Sequence, residues 1–196
     1  MTTQTPIVFF IGKPGSGKGT QANLLAQATG WQVVGSSGGL REIIASGGTV
    51  ADKLKETMNT GGLVPYWVVS YVYIKTLLNI PEDGTVIFDG TSRTKPEAEV
   101  VAESLKWLER PFFIFHLTVP DEEVHARIAL RREKESRADD HPDAVANRLN
   151  AYYESTDGAI DYLRQQGMLT EIDGHRPIEV IAADVRARLG IADSQN

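Results

Sequence analysis

Between the apolar run Ile7-Val8-Phe9-Phe10-Ile11 and a helical pattern that opens Lys18-Gly19-Thr20-Gln21-Ala22 stand Gly12-Lys13-Pro14-Gly15-Ser16-Gly17. The order is buried strand, glycine-rich loop, helix. In that setting Gly12-x4-Gly17-Lys18 is a phosphate cradle. Glycines let successive backbone N–H groups turn inward, the helix N-terminus adds partial positive charge, and the lysine reaches the β- and γ-phosphates. An ordinary glycine turn is the competing reading. The lysine at that offset, directly after a buried-type strand, disfavours it. The segment implies a nucleoside triphosphate as ligand.

The rest of the chain alternates in the same manner. Strand candidates are Ile7–Ile11, Gln32–Val34, Thr85–Phe88, Phe112–Val119 and Leu169–Ile172. Helical patterns cover Lys18–Ala28, Gly39–Ser46, Val50–Asn59, Tyr66–Leu78, Pro96–Trp107, Asp121–Lys134, Pro142–Gln166 and Ile178–Leu189. Apolar strands alternating with helices predict an α/β fold of the P-loop nucleoside-triphosphate hydrolase type: a parallel five-stranded sheet flanked by helices. The 196 residues suit one domain. Between Gly35 and Pro65 the pattern is helical and glycine-punctuated, which suggests an insert closing over a second ligand.

A net charge of −6 argues against general nucleic-acid binding. The absence of cysteine excludes disulfides and cysteine-ligated zinc. Met1–Pro6 carries neither a charged leader nor an apolar core, and no apolar run approaches the roughly 20 residues needed to span a bilayer. A soluble, cytoplasmic protein without a membrane partner is expected.

Phe88-Asp89-Gly90 ends the third strand run, where an acid faces the phosphate loop and suits magnesium, directly or through water. A turn or capping aspartate is the plainer alternative. Arg41, Arg93, Arg127, Arg131, Arg137 and Arg148 are the candidate phosphate ligands, with Arg127 and Arg131 on one helix face. Phosphoryl transfer between nucleotides crowds negative charge, and guanidiniums clamp phosphate oxygens bidentately. Taken singly, each arginine also fits a solvated helix face.

Beyond these residues the chain resembles the adenylate kinases and their nucleoside-monophosphate kinase relatives, of the short-lid type. Gly12 to Gln21 is similar to the opening motif of that family, and Gly61-Gly62-Leu63-Val64-Pro65 to its Gly-x-Leu-Val-Pro. Asp89-Gly90-Thr91-Ser92-Arg93-Thr94 resembles Asp-Gly-Phe-Pro-Arg-Thr. Arg137-Ala138-Asp139-Asp140, Arg148-Leu149, Tyr152-Tyr153, Gly167 and Ile172-Asp173-Gly174 fit the later blocks. The resemblance implies reversible phosphoryl transfer from Mg-ATP to a nucleoside monophosphate, AMP being favoured, by a monomer.

It also implies roles. Gly15, Ser16, Gly17, Lys18, Gly19 and Thr20 would hold ATP, with Arg127 over the adenine and Arg131 beside the phosphates. Ser36, Arg41, Val64, Gly90, Arg93, Glu97, Arg137 and Arg148 would serve the acceptor. Lys18, Arg93, Arg131, Arg137 and Arg148 would act on the transferring group, with Mg2+ on the side of Asp89. The corresponding division is a core of residues 1–34, 66–130 and 139–196, a monophosphate-binding insert 35–65, and a short lid 131–138.

Three departures bear on activity. Gly35-Ser36-Ser37-Gly38-Gly39-Leu40-Arg41 stands where the family has Ser-Thr-Gly-Asp-Leu-Leu-Arg, so Gly38 replaces an aspartate that orders the magnesium's waters. Thr91-Ser92 replaces Phe-Pro, removing a stiff proline before Arg93. Glu97 stands where a glutamine reads the acceptor base. A carboxylate only accepts hydrogen bonds and matches guanine's adjacent donors better than adenine's edge; such a mismatch can reach about 10⁴ in discrimination. Glu97 could instead point to solvent. Kinases for GMP or for CMP and UMP, and a nucleotide sensor with weak turnover, are therefore the alternatives. A P-loop kinase for an unrelated small acceptor fits the first motif but not the later blocks.

His116, His125, His141 and His175 lack metal-ligand spacing and read as surface or capping residues. Trp31, Trp67 and Trp107 read as core or half-buried, Trp67 with a possible place near the acceptor. Val68, Val69, Val72, Leu77 and Leu78 read as a core stripe.

Overall fold

A computed structural model describes residues 5–134 and 142–192. Strand β1 (Ile7–Gly12) sets the frame because both its faces are apolar. Ile7, Phe9 and Ile11 point into one core with Tyr73, Phe88, Val101, Leu105 and Leu163, while Val8 and Phe10 point into the other with Leu25, Ile87, Phe115, Ile181 and Val185. A strand buried on both sides reads as a continuous hydrophobic run and belongs in the middle of a parallel sheet. Around it stand β2 (Gln32–Gly35), β3 (Val86–Asp89), β4 (Phe112–Thr118) and β5 (Leu169–Asp173), in the order β2-β3-β1-β4-β5, all parallel. The expected α/β fold with five parallel strands is what the chain adopts.

Register places the chemistry. Phe10 pairs with Asp89 and Gly35 pairs with Asp89, so the ends of β1, β2 and β3 meet at the carboxyl edge of the sheet. Ligands of open α/β sheets bind at that edge, where the strand order switches.

Helix α1 (Lys18–Thr29) follows the loop, and α2 (Ser36–Ser46), α3 (Ala51–Asn59) and α4 (Tyr66–Leu77) follow β2. Leu40, Leu54, Val64, Val68, Val69 and Val72 give this stretch its own apolar cluster. The order continues with α5 (Lys95–Leu108) after β3, α6 (Asp121–Lys134) after β4, and α9 (Ile178–Arg188) after β5. The single helix expected over Pro142–Gln166 is instead three pieces: α7 (Pro142–Ala151), a π-helical turn (Tyr152–Thr156) and α8 (Asp157–Gln165). Helix α2 begins at Ser36, three residues before the expected Gly39.

Several side-chain expectations are corrected. Trp107 is 80% exposed, and Trp67 and Leu78 also face outward. Helical spacing marks a stripe, but not whether another element covers it. His116, expected at the surface, is buried on β4, its Nδ1 2.7 Å from Glu171 Oε2 and its Nε2 3.4 Å from the Tyr152 hydroxyl. Burial pushes its imidazole pKa down, against the opposing pull of Glu171.

The two glycines opening α2 are not equivalent. A Cβ on Gly38 would meet nothing within 4 Å, whereas one on Gly39 would lie 2.3 Å from Val72 Cγ1. The β-branched Val72 has little rotamer freedom with which to withdraw. Thermal unfolding is expected to show Gly38→Ala neutral or stabilising by up to about 1 kcal/mol. Gly39→Ala is expected to be destabilising by about 1–3 kcal/mol through overpacking.

Candidate active site

At the carboxyl edge the phosphate loop leaves β1 through Gly12 and enters α1 at Lys18. The N-cap of α1 is Gly17, left-handed and without a side chain, so no side-chain cap takes up the first N–H groups of the helix. Lys18 Nζ donates to the carbonyls of Gly12 (2.9 Å) and Lys13 (2.6 Å). Desolvation lowers its pKa from 10.5 to about 7. Arg93, Arg148 and Arg131 push it the same way, and Asp89 pushes it back. That pattern locates three guanidiniums and one carboxylate close enough to Lys18 to act on its charge.

These groups share one cleft of about 990 Å³. Gly15, Ser16, Gly17, Gly19 and Thr20 line it at the loop, Ser36, Arg41 and Val64 from the α2–α4 region, and Asp89, Gly90, Arg93 and Glu97 from the end of β3 and the start of α5. Arg127, Arg131 and Arg148 close it from α6 and α7. Arg137 lies outside the described residues. Trp67 does not line the cleft.

Arg127 is not open to the cleft alone. Nη1 donates to the Ser16 carbonyl (3.2 Å) and Nη2 to the Gly174 carbonyl (2.8 Å), and the guanidinium is ion-paired with Glu123. It therefore ties α6 to the phosphate loop and to the segment after β5.

Whether the donors suit magnesium can be judged at Gly19. A Cβ there would sit 3.2 Å from Asp89 Oδ2, so a glycine at this position leaves the carboxylate uncovered beside the loop. Among the described residues no cluster of three or more His, Cys, Asp or Glu side chains forms a cage. A single carboxylate beside a phosphate cradle is the donor set of Mg2+, which keeps waters and takes phosphate oxygens rather than a protein cage. The residues fit.

Arg93 is restrained on three sides. Its Nε donates to the Gly90 carbonyl (2.9 Å), its backbone N–H to Glu97 Oε2 (2.9 Å), and its carbonyl accepts from Thr156 Oγ1 (2.9 Å). The Gly90 carbonyl also accepts from Ser36 Oγ at 3.1 Å, joining the start of α2 to the same turn. Ser92 has φ 59°, a left-handed conformation that costs a non-glycine residue on the order of 1–2 kcal/mol and that proline cannot adopt. The replacement of the expected proline thus has a backbone consequence.

Glu97 is 3% exposed, so it does not point to solvent. Burial raises its carboxyl pKa, opposed chiefly by hydrogen bonding from the Arg93 backbone and the Arg93 charge. Its Oε1 accepts from the Thr94 hydroxyl at 3.2 Å. Thr94-Lys95-Pro96-Glu97 has the residue types of a capping box, Ser/Thr-x-x-Glu with proline in the first turn, although Thr94 makes no side-chain cap bond and Glu97 takes the N–H of Arg93, one residue earlier. That signal for Glu97 was present in the sequence. For Thr156 there was none. A π turn adds a residue to the helical repeat and rotates the side chains beyond it, which no apolar spacing announces.

The adenylate kinase family profile matches residues 10–168 of the chain. The chain is 35% identical to an adenylate kinase of Thermus thermophilus, across 94% of this chain and 97% of that protein. It is 33% identical to one of Archaeoglobus fulgidus, across 93% and 97%. Adenylate kinase 1 of Synechocystis is 34% identical, across 91% and 94%. With the parallel sheet and its phosphate loop already in place, these likenesses assign the chain to the adenylate kinase family, a family of phosphotransferases.

Proposed function

We propose that the protein transfers the γ-phosphoryl group of Mg-ATP reversibly to AMP, giving two ADP. What carries this reading is the convergence of Arg93, Arg131 and Arg148 with Asp89 upon Lys18. Phosphoryl transfer needs little covalent help from protein; it needs two nucleotides held in line and the charge on the equatorial oxygens neutralised. Lys18 and the loop N–H groups serve the β- and γ-phosphates of the donor. Arg131 and Arg148, joined by Arg137 on the resemblance of its motif, serve the transferring group. Ser36, Arg41, Val64, Gly90, Arg93 and Glu97 form the acceptor end. Mg2+ held beside Asp89 would neutralise charge between the β- and γ-phosphates.

The insert 35–65 and the lid 131–138 are proposed to close on the bound pair and exclude water, so that ATP is not hydrolysed when no acceptor is present. Action as a monomer is part of this proposal.

The test is ADP formation from Mg-ATP with AMP, dAMP, GMP, CMP or UMP supplied separately, and with no acceptor. AMP is expected to give the strongest signal. Arg93→Ala is expected to lower acceptor-dependent turnover by about 10²–10³, the usual loss for one preorganised donor to a transition-state charge. Preference for GMP or a pyrimidine nucleotide would move the acceptor assignment. ATP binding without acceptor-dependent turnover would make the protein a sensor.

A further inference from the structure

We infer that Glu97 is a positioning residue for Arg93, and that it forms one device with Ser92: its carboxylate holds the left-handed turn that aims the Arg93 guanidinium into the cleft. This rests on the reading of Arg93 as a ligand of the acceptor's phosphate. Both carboxylate oxygens are engaged by the turn, Oε2 by the Arg93 N–H and Oε1 by the Thr94 hydroxyl. The Ser92 N–H also favours the charged carboxylate. Successive N–H groups around a left-handed residue form a concave nest that suits an anion, and here the anion belongs to the chain itself. It sits in the first turn of α5, where the helix end favours negative charge.

The turn is otherwise held at its carbonyls, Gly90 by Arg93 Nε and Ser36 Oγ and Arg93 by Thr156. The hydroxyls of Thr91 and Ser92 are buried, and neither has a hydrogen-bond partner among the described residues. Ser92 bears the strain of positive φ without side-chain compensation. Apart from Glu97, the Arg93 backbone is held at its carbonyl, by Thr156. The two departures in this stretch, Ser92 and Glu97, are thus complementary. Positive φ at residue 92 turns N–H groups toward the start of α5, and a residue able only to accept receives them. A glutamine could keep its oxygen on the Arg93 N–H and turn its amide to the Thr94 hydroxyl, which also accepts, but it would lose the negative charge that the N–H groups and the helix end favour. Glu97 therefore acts through Arg93 on any acceptor and does not read the base.

Steady-state kinetics of the full chain separate the possibilities, with AMP and GMP each varied at saturating Mg-ATP. Glu97→Gln is expected to raise KM for both acceptors by the same factor, about tenfold, with KM for ATP within about twofold. The AMP-to-GMP ratio of kcat/KM should stay as it is. Ser92→Gly, which accepts positive φ freely, is expected to restore most of the acceptor KM when combined with Glu97→Gln. A change in the AMP-to-GMP ratio of about a hundredfold would make Glu97 a base reader and overturn the inference. So would unchanged acceptor KM in Glu97→Gln, or a uniform loss with lowered Tm that Ser92→Gly does not repair. Arg93→Ala is measured alongside. If it weakens AMP while Glu97→Gln does not, the inference fails and the reading of Arg93 stands. If Arg93→Ala leaves AMP untouched, that reading fails, and the inference with it.

Discussion

Lys18→Met is expected to lower kcat/KM by about 10³ or more, since under the proposed function it removes the cation that serves the phosphates from a site preorganised to stabilise charge. The fold should survive, because methionine is unbranched and fills most of the space of the lysine stem; coupled-assay kinetics and Tm together check the claim. The wild-type lysine gives a further signature. Burial, aided by three guanidiniums, brings its pKa to about 7 when the cleft holds no phosphate. Bound triphosphate restores a reason to be charged, so ATP binding should take up a proton at slightly alkaline pH. Linkage then fixes the sign: affinity for ATP falls as pH rises above about 7, by at most about tenfold per unit. Stability without ligand runs the other way. The unfolded lysine keeps the proton up to its ordinary 10.5 while the folded one loses it from about 7, so this group's contribution becomes more favourable as pH climbs through that window. Calorimetry in two buffers of different ionisation enthalpy measures the uptake. Equal heats in both would show that binding takes up no net proton, against this expectation.

Gly12→Val is expected to remove nucleotide binding together with several kcal/mol of stability. Gly12 has φ 142°, and a Cβ there would lie 2.5 Å from the carbonyl oxygen of Leu117 on the paired strand. Neither partner can retreat: Leu117 is fully buried and its carbonyl is fixed by the sheet. Strained backbone and a backbone clash together cost on the order of 3 kcal/mol or more. For a chain of this size that is a fall in Tm of about 6–12 °C. Because the Gly12 carbonyl also receives Lys18 Nζ, the loop should lose its shape before the sheet does. Gly158→Ala is the control: a Cβ there meets nothing within 4 Å and the site is helical, so its Tm should match wild type or rise by up to about 2–4 °C.

Local chemistry made much of the protein legible. The phosphate loop, the continuous apolar strands and the aspartate ending β3 each depend on neighbours within a few residues, so their spacing carries their structure. The sequence also brought Gly15 to Thr20, Asp89, Arg93 and Arg148 into one group before any fold existed to join them; the register of β1, β2 and β3 brings the phosphate loop and Asp89 to one edge, and α7 brings Arg148 to the same cleft. Other features answer to partners distant in the chain. His116 is buried because β5 brings Glu171 beside it. Trp107 is exposed because no described element packs over that face of α5. Thr156 reaches the Arg93 carbonyl because the π turn rotates it there, 63 residues along the chain. Glu97 lies between these cases. Its capping pattern is local, but that both its oxygens would be taken up by a left-handed turn depended on the φ of Ser92, which only the packed end of β3 sets. The sequence determined which chemistry is present, since residue type and short-range spacing fix donors, acceptors and charge. The tertiary structure decided what each group faces, because burial and long-range pairing are properties of the assembled surfaces.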